Sequence, residues 1–177
     1  VLVEAGRIRR AAGPAEVALL TGAAGIETLP PGVSAVVLPP ASPLELPALN
    51  RRLAAARIPW RYAARSGAGE ARILMEDGAD DVLRALERAR VLDWYALEGS
   101  SAADTALLAP SDGAPWVVRG ERQGGGRYLL LASPLTEEAS TIPTSSGMLP
   151  LIDRLTGTWS GARTAAPSLQ PGAELAL

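Results

Sequence analysis

Two short runs that are almost wholly apolar, Glu16-Val17-Ala18-Leu19-Leu20 and Ser34-Ala35-Val36-Val37-Leu38, place buried strands in the first forty residues. Gly22 to Gly25 reads as the turn after the first, and Pro39-Pro40, which cannot continue a hydrogen-bonded ladder, closes the second. Residues 46–57 then carry Leu46, Leu49 and Leu53 at helical spacing with Asn50, Arg51 and Arg52 between them, a surface helix with Pro47 in its first turn. Residues 58–62 alternate large apolar and polar side chains, and residues 71–75 form another short strand after a Gly-rich loop. A helix is predicted over residues 80–90, capped by Asp77 or Asp80, with Val82, Leu83 and Leu86 inward and Arg84, Glu87 and Arg88 in water.

The rhythm then changes to four short strands, 91–97, 105–108, 115–119 and 127–132. Asp112-Gly113 and Gly124-Gly125-Gly126 lie between the later pairs, where hairpins need residues that accept positive φ. A last helix is predicted over 146–157, with Met148, Leu149, Ile152 and Leu155 on one side, and residues 160–177 read as an Ala, Pro and Ser-rich linker. Strands alternating with helices, followed by an antiparallel meander, predict an α/β domain over residues 1–159, a mixed sheet flanked by helices.

The side chains that are missing narrow the chemistry. There is no His, no Cys and no Lys, and all 17 basic residues are Arg. Without His or Cys, the usual neutral-pH base, thiolate nucleophile, zinc cluster and disulfide are all excluded. Serines 100, 101, 133, 140, 145 and 146 offer hydroxyls, yet no His or Lys can activate them and no Gly-x-Ser-x-Gly elbow is present. Gly124-Gly125-Gly126 lacks the following helix and the Lys of a phosphate loop, and a hairpin is the better reading.

Carboxylates remain. Glu76, Asp77, Asp80 and Asp81 form the densest group, able in principle to hold magnesium or calcium, but they lack calcium-loop spacing and suit a helix start, where the dipole favours acidic groups. Glu98, Asp104, Asp112 and Asp153 could supply a pair for glycoside hydrolysis, although their spacing selects no two of them. Among seven aromatic residues, Trp60 and Trp159 lie near element ends and are the candidates for an exposed ligand-binding platform; core packing accounts for the rest. The net charge of −2 with scattered Arg forms no basic stripe, so neither nucleic acid nor an anionic membrane is expected as a partner. No run approaches the about 20 apolar residues of a membrane span, and no cofactor is expected. Val at position 1 and the apolar pattern resuming at the far end suggest a piece cut from a longer protein.

The segments Arg127-Tyr128-Leu129-Leu130-Leu131-Ala132-Ser133-Pro134-Leu135, Ile142-Pro143 and Met148-Leu149-Pro150-Leu151-Ile152-Asp153-Arg154-Leu155, with Asp112-Gly113-Ala114-Pro115-Trp116-Val117-Val118 before them, form a pattern over residues 91–158. It resembles the C-terminal region of bacterial aerotolerance-regulator (BatA-like) membrane proteins, which carries a domain similar to class I glutamine amidotransferases. The resemblance implies a three-layer, flavodoxin-like α/β core attached to membrane helices elsewhere in its parent. True glutamine amidotransferases use a Cys nucleophile and a His base, and this chain has neither, so no catalytic residue carries over. The expectation is therefore a noncatalytic interaction or assembly domain, extracytoplasmic, whose partners are other domains of the parent membrane protein or a protein complex. Two alternatives stand beside it: a carbohydrate or small-ligand binding module at Trp60 or Trp159, and a carboxylate- or metal-dependent hydrolase centred on Glu76, Asp77, Asp80 and Asp81.

Overall fold

Strand β2, Ser34–Leu38, is buried along its whole length. A strand covered on both faces has no use for alternation, which is why Ala35, Val36, Val37 and Leu38 run without a polar break. The computed structural model describes residues 16–74, 81–99, 101, 104–110 and 114–161. On one side β2 pairs in parallel with β1, Val17–Thr21. On the other it pairs in parallel with a strand ninety residues later in the chain, through Ala35 opposite Tyr128 and Val37 opposite Leu130.

Seven strands form the sheet, counted in chain order. After β1 and β2 come β3, Trp60–Leu74; β4, Arg90–Gly99; β5, Thr105–Pro110; β6, Val117–Glu121; and β7, Arg127–Leu131. Their spatial order is β1-β2-β7-β6-β5-β3-β4, parallel through β7 and antiparallel beyond it. This is an α/β fold with a mixed sheet and an antiparallel second half. The helical segments lie before β3, between β3 and β4, and after β7. Helix α1, Leu46–Ala55, buries Leu46, Leu49 and Leu53, and α2, Met148–Thr156, buries Leu151, Ile152 and Leu155. Gly124, Gly125 and Gly126, all at positive φ, turn β6 into β7 as the hairpin reading required.

Two expectations need correcting. Residues 60–74 are one strand and not two strands with a Gly-rich loop between them, because the intervening residues pair with β4 through register shifts at Tyr62/Arg65, Arg65/Gly67 and Ala68/Ala71. Such bulges let a long strand bend while keeping its partner. The helix expected over 80–90 is a 3-10 helix, Asp81–Arg88, with Leu83 and Leu86 buried and Arg84, Glu87 and Arg88 exposed as expected. A 3-10 helix advances about 2.0 Å per residue against about 1.5 Å for an α-helix, so the tighter form reaches further in crossing between β3 and β4.

Among the described residues, the β3–β4 ribbon pairs with β5 at Ile73 with Pro110 and at Leu74 with Ala109. Backbone bonds to the segment after β7, such as Leu92 N–H to Ala139 O at 2.8 Å, and tyrosine side chains attach it further. The Tyr62 hydroxyl donates to Leu131 O at 2.9 Å, and the Tyr95 hydroxyl to Pro40 O at 3.0 Å, while the Tyr95 amide donates to Ala132 O at 2.8 Å. The two rings meet edge to face, with centroids 6.3 Å apart. Leu131 ends β7 and Pro40 follows β2, so the ribbon is tied to the carboxyl ends of the two central parallel strands.

The opposite end of the sheet is closed at Ser34. Its amide donates to Glu16 O at 2.8 Å, its hydroxyl donates to Ser160 O at 2.7 Å, and that hydroxyl accepts from the Arg127 amide at 2.9 Å. Ser160 is itself buried, so the packed structure includes the first residue of the expected linker. No helix among the described residues is long and apolar enough to cross a membrane.

Burial pushes the hydroxyls of Tyr62 and Tyr128 well above the ordinary value of 10.0. The folded state therefore holds both protons more tightly than the unfolded chain, and the associated stability is intact below pH 10 and lost as pH rises beyond it. Urea unfolding as a function of pH should show a slope of up to about 1.4 kcal/mol per pH unit for each tyrosine above about pH 10. Tyr62→Phe should remove one share of that slope and, by leaving Leu131 O unsatisfied, cost about 1–3 kcal/mol at neutral pH. An unchanged alkaline slope in Tyr62→Phe would show that this hydroxyl stays accessible to solvent.

Candidate functional site

Where β3 begins, the chain has just left α1 and is about to pair with the last residues of β4. Trp60 lies opposite Gly99 and Arg61 opposite Glu98. Gly99 has φ +129, and a Cβ there would overlap Pro59 O, so only glycine lets the two backbones come this close. The result is an open depression of about 500 Å³, with Ala54, Ile58, Pro59 and Trp60 giving it apolar surface and Arg61 and Glu98 polar groups.

Each polar group around it has a definite partner. The Trp60 indole N–H donates to Asp104 Oδ2 at 2.6 Å, which fixes the ring although 44 residues of chain separate the two. Arg61 donates from Nε at 2.9 Å and Nη2 at 2.7 Å to one oxygen of Glu98. The Asn50 amide, also at the depression, is committed to the backbone, donating to Tyr62 O and accepting from the Tyr62 amide, both at 2.8 Å. Behind Trp60, Gly120 leaves room for Asp104 and the Tyr128 hydroxyl, both of which a Cβ at that position would overlap. Burial, and then the neighbouring Asp104 carboxylate, raise the Tyr128 pKa, while Trp60 acts in the opposite direction.

The other residues singled out by sequence fall elsewhere. Glu76, Asp77 and Asp80 lie outside the described residues, as do Ser100 and Asp112; Asp81 opens the 3-10 helix. Among the described residues no group of three potential metal ligands comes together. Trp159 is half-buried against the core, with its carbonyl accepting from Arg127 Nη1 at 3.3 Å. Asp153 is exposed on α2. Ser133, directly after β7, is fully buried and accepts from the Trp116 indole N–H at 3.0 Å. Of the candidates, Trp60 and Asp104 meet directly, and Glu98 borders the same depression as Trp60.

Sequence reasoning missed Arg61, Gly99 and Gly120. The alternation over 58–62 does place Arg61 on the face opposite Trp60 and Tyr62, but its pairing with Glu98 depends on the register of β4. Gly99→Ala should destabilise the fold by roughly 2 kcal/mol or more through the overlap with Pro59 O and the unfavourable φ. Urea unfolding measures it; a cost within a few tenths of a kcal/mol would mean the ribbon end can open without penalty.

No family model matches the chain, and no curated protein matches it either. Among solved structures, an exo-β-1,4-mannosidase from Opitutaceae bacterium strain TAV5 is similar at 17% identity and a TM-score of 0.45, over 82% of this chain. This chain spans 24% of the length of that enzyme.

Proposed function

We propose that this chain is a noncatalytic interaction domain of a bacterial membrane-anchored protein, working by assembly with other parts of its parent or with a protein complex. The observation that carries this reading is what fills the carboxyl ends of the central parallel strands. In α/β folds that crevice is the usual place for ligands and reacting groups. Here the Tyr62 and Tyr95 hydroxyls bond to the backbone at and just beyond the ends of β7 and β2, and Ser133 is buried against Trp116.

The ionic groups are likewise engaged in structure. Exposed ion pairs join Arg52 to Glu27 at 3.4 Å, Arg90 to Glu70 at 2.9 Å and Arg127 to Glu121 at 3.3 Å. Each such pair contributes about 0–1 kcal/mol, and together they spread mixed charge over the surface rather than concentrating it at a reacting centre. With no His, Cys or Lys in the chain, His- or Lys-activated acyl transfer and thiol chemistry have no side chain to run on.

The test uses the full-length parent in its own membrane. Deleting residues 16–161 should reduce the size of the detergent-solubilised complex on a native gel, whereas Ser133→Ala and Glu98→Gln should leave both that size and the cellular phenotype unchanged. An unchanged complex after the deletion would overturn the proposal. So would loss of the phenotype in Glu98→Gln with the complex intact, since that pattern belongs to a catalytic carboxylate.

A further inference from the structure

We infer that the outer edge of β1 pairs with the β1 edge of a second copy of this chain, antiparallel and centred on Leu19, so that the sheet runs on from one copy into the other. This rests on the assembly reading above and names a partner for it. The two edges of the sheet are treated differently. β4 carries Arg90, Asp93 and Glu98, and the segment after β7 closes part of it: the Leu92 and Asp93 amides donate to Ala139 O at 2.8 and 3.1 Å, and the Thr141 amide donates to Arg90 O at 2.9 Å. Charge and a covering segment both keep an edge from recruiting another strand. β1, Val17-Ala18-Leu19-Leu20-Thr21, has neither a charged residue nor a proline, and among the described residues its strand partner is β2 alone.

The backbone of β1 fixes which groups are on offer. Glu16 O accepts from the Ser34 amide at 2.8 Å, and the Gly22 amide donates to Leu38 O at 2.9 Å, so the even-numbered residues turn their polar groups toward β2. Because these groups alternate in direction along a strand, Val17, Leu19 and Thr21 turn theirs outward. A two-fold axis at Leu19 sets Leu19 opposite its own copy and Val17 opposite Thr21. Each opposed pair then exchanges both of its N–H to O bonds, as in any antiparallel ladder, and every outward N–H and C=O on the two strands finds a partner. A contact that is its own complement closes at two copies.

The side chains suit the same register. Leu19 is 52% exposed and, unlike Val17 and Leu20, lies outside the packed core, so the axis passes through the one large apolar side chain of the strand that a single copy leaves to water. No charge is set against its own copy, since Glu16 falls opposite Gly22. An edge of five residues makes a small contact, below the about 1,200 Å² at which stable interfaces begin, so the dimer forms and dissociates with concentration rather than being permanent.

Sedimentation velocity of the 177-residue chain over roughly a hundredfold range of concentration should show monomer passing into dimer, with no larger species. Leu19→Pro removes the central outward N–H without touching the bonds to β2, and should raise the dissociation constant roughly tenfold or more, with folding checked by circular dichroism. Leu19→Arg and Leu19→Glu keep every backbone group and carry the test even if the proline variant fails to fold. Each should be monomeric alone, through like charges across the axis, and the two should dimerise when mixed. Leu44→Glu alters a side chain that is 89% exposed outside the sheet and should leave the dimer unchanged. The inference is overturned if the chain stays monomeric throughout, if the mixed variants do not associate, or if Leu44→Glu abolishes the dimer. A monomer that dimerises only after deletion of residues 1–15 also overturns it, by assigning the edge to the chain's own first segment. A monomeric chain leaves the native-gel result for the full-length parent to decide the assembly reading separately.

Discussion

The hydroxyl of Tyr62, donating to the carbonyl of Leu131, joins the two halves of the architecture. Among the described residues, backbone pairing between the ribbon and β5 lies at Ile73 and Leu74, the far end of β3. Tyr62 and Tyr95 complete the attachment, meeting edge to face and reaching the strand ends at Leu131 and Pro40. The interaction is strong because it is dry: the Tyr62 ring is fully buried, and breaking the bond would leave a donor and an acceptor unsatisfied in an apolar setting.

That attachment determines where ligand chemistry can occur. The ribbon takes up the crevice that parallel strands ordinarily leave open, and an open recess lies at the ribbon's other end, beside α1. The substitution has a simple geometric cause. β3 is long enough to reach from α1 to β5, so whatever binds at its start is remote in sequence from the groups that support it; Asp104 is the example.

Much of the fold was legible because it rests on local pattern. Leu46, Leu49 and Leu53 mark the inner face of α1, Ser34 to Leu38 mark a doubly covered strand, and three successive glycines mark a turn. The continuity of β3 was not legible, since Ala64 to Gly69 shows no apolar alternation and its strand character comes from pairing with β4. The 3-10 helix was hidden for the related reason that its inward and outward residues fit an α-helix equally well over eight positions. Of the site, Trp60 was legible as an aromatic at an element end. Its support was not, because Gly99 and Gly120 matter through contacts with Pro59, Asp104 and Tyr128 that only the assembled sheet creates.

Ser34 holds both Glu16 and Ser160, two points far apart in the chain. A pull that separated those two points would be met first at this one buried side chain and its backbone amide, and the interior strands would carry load only after that clasp had opened.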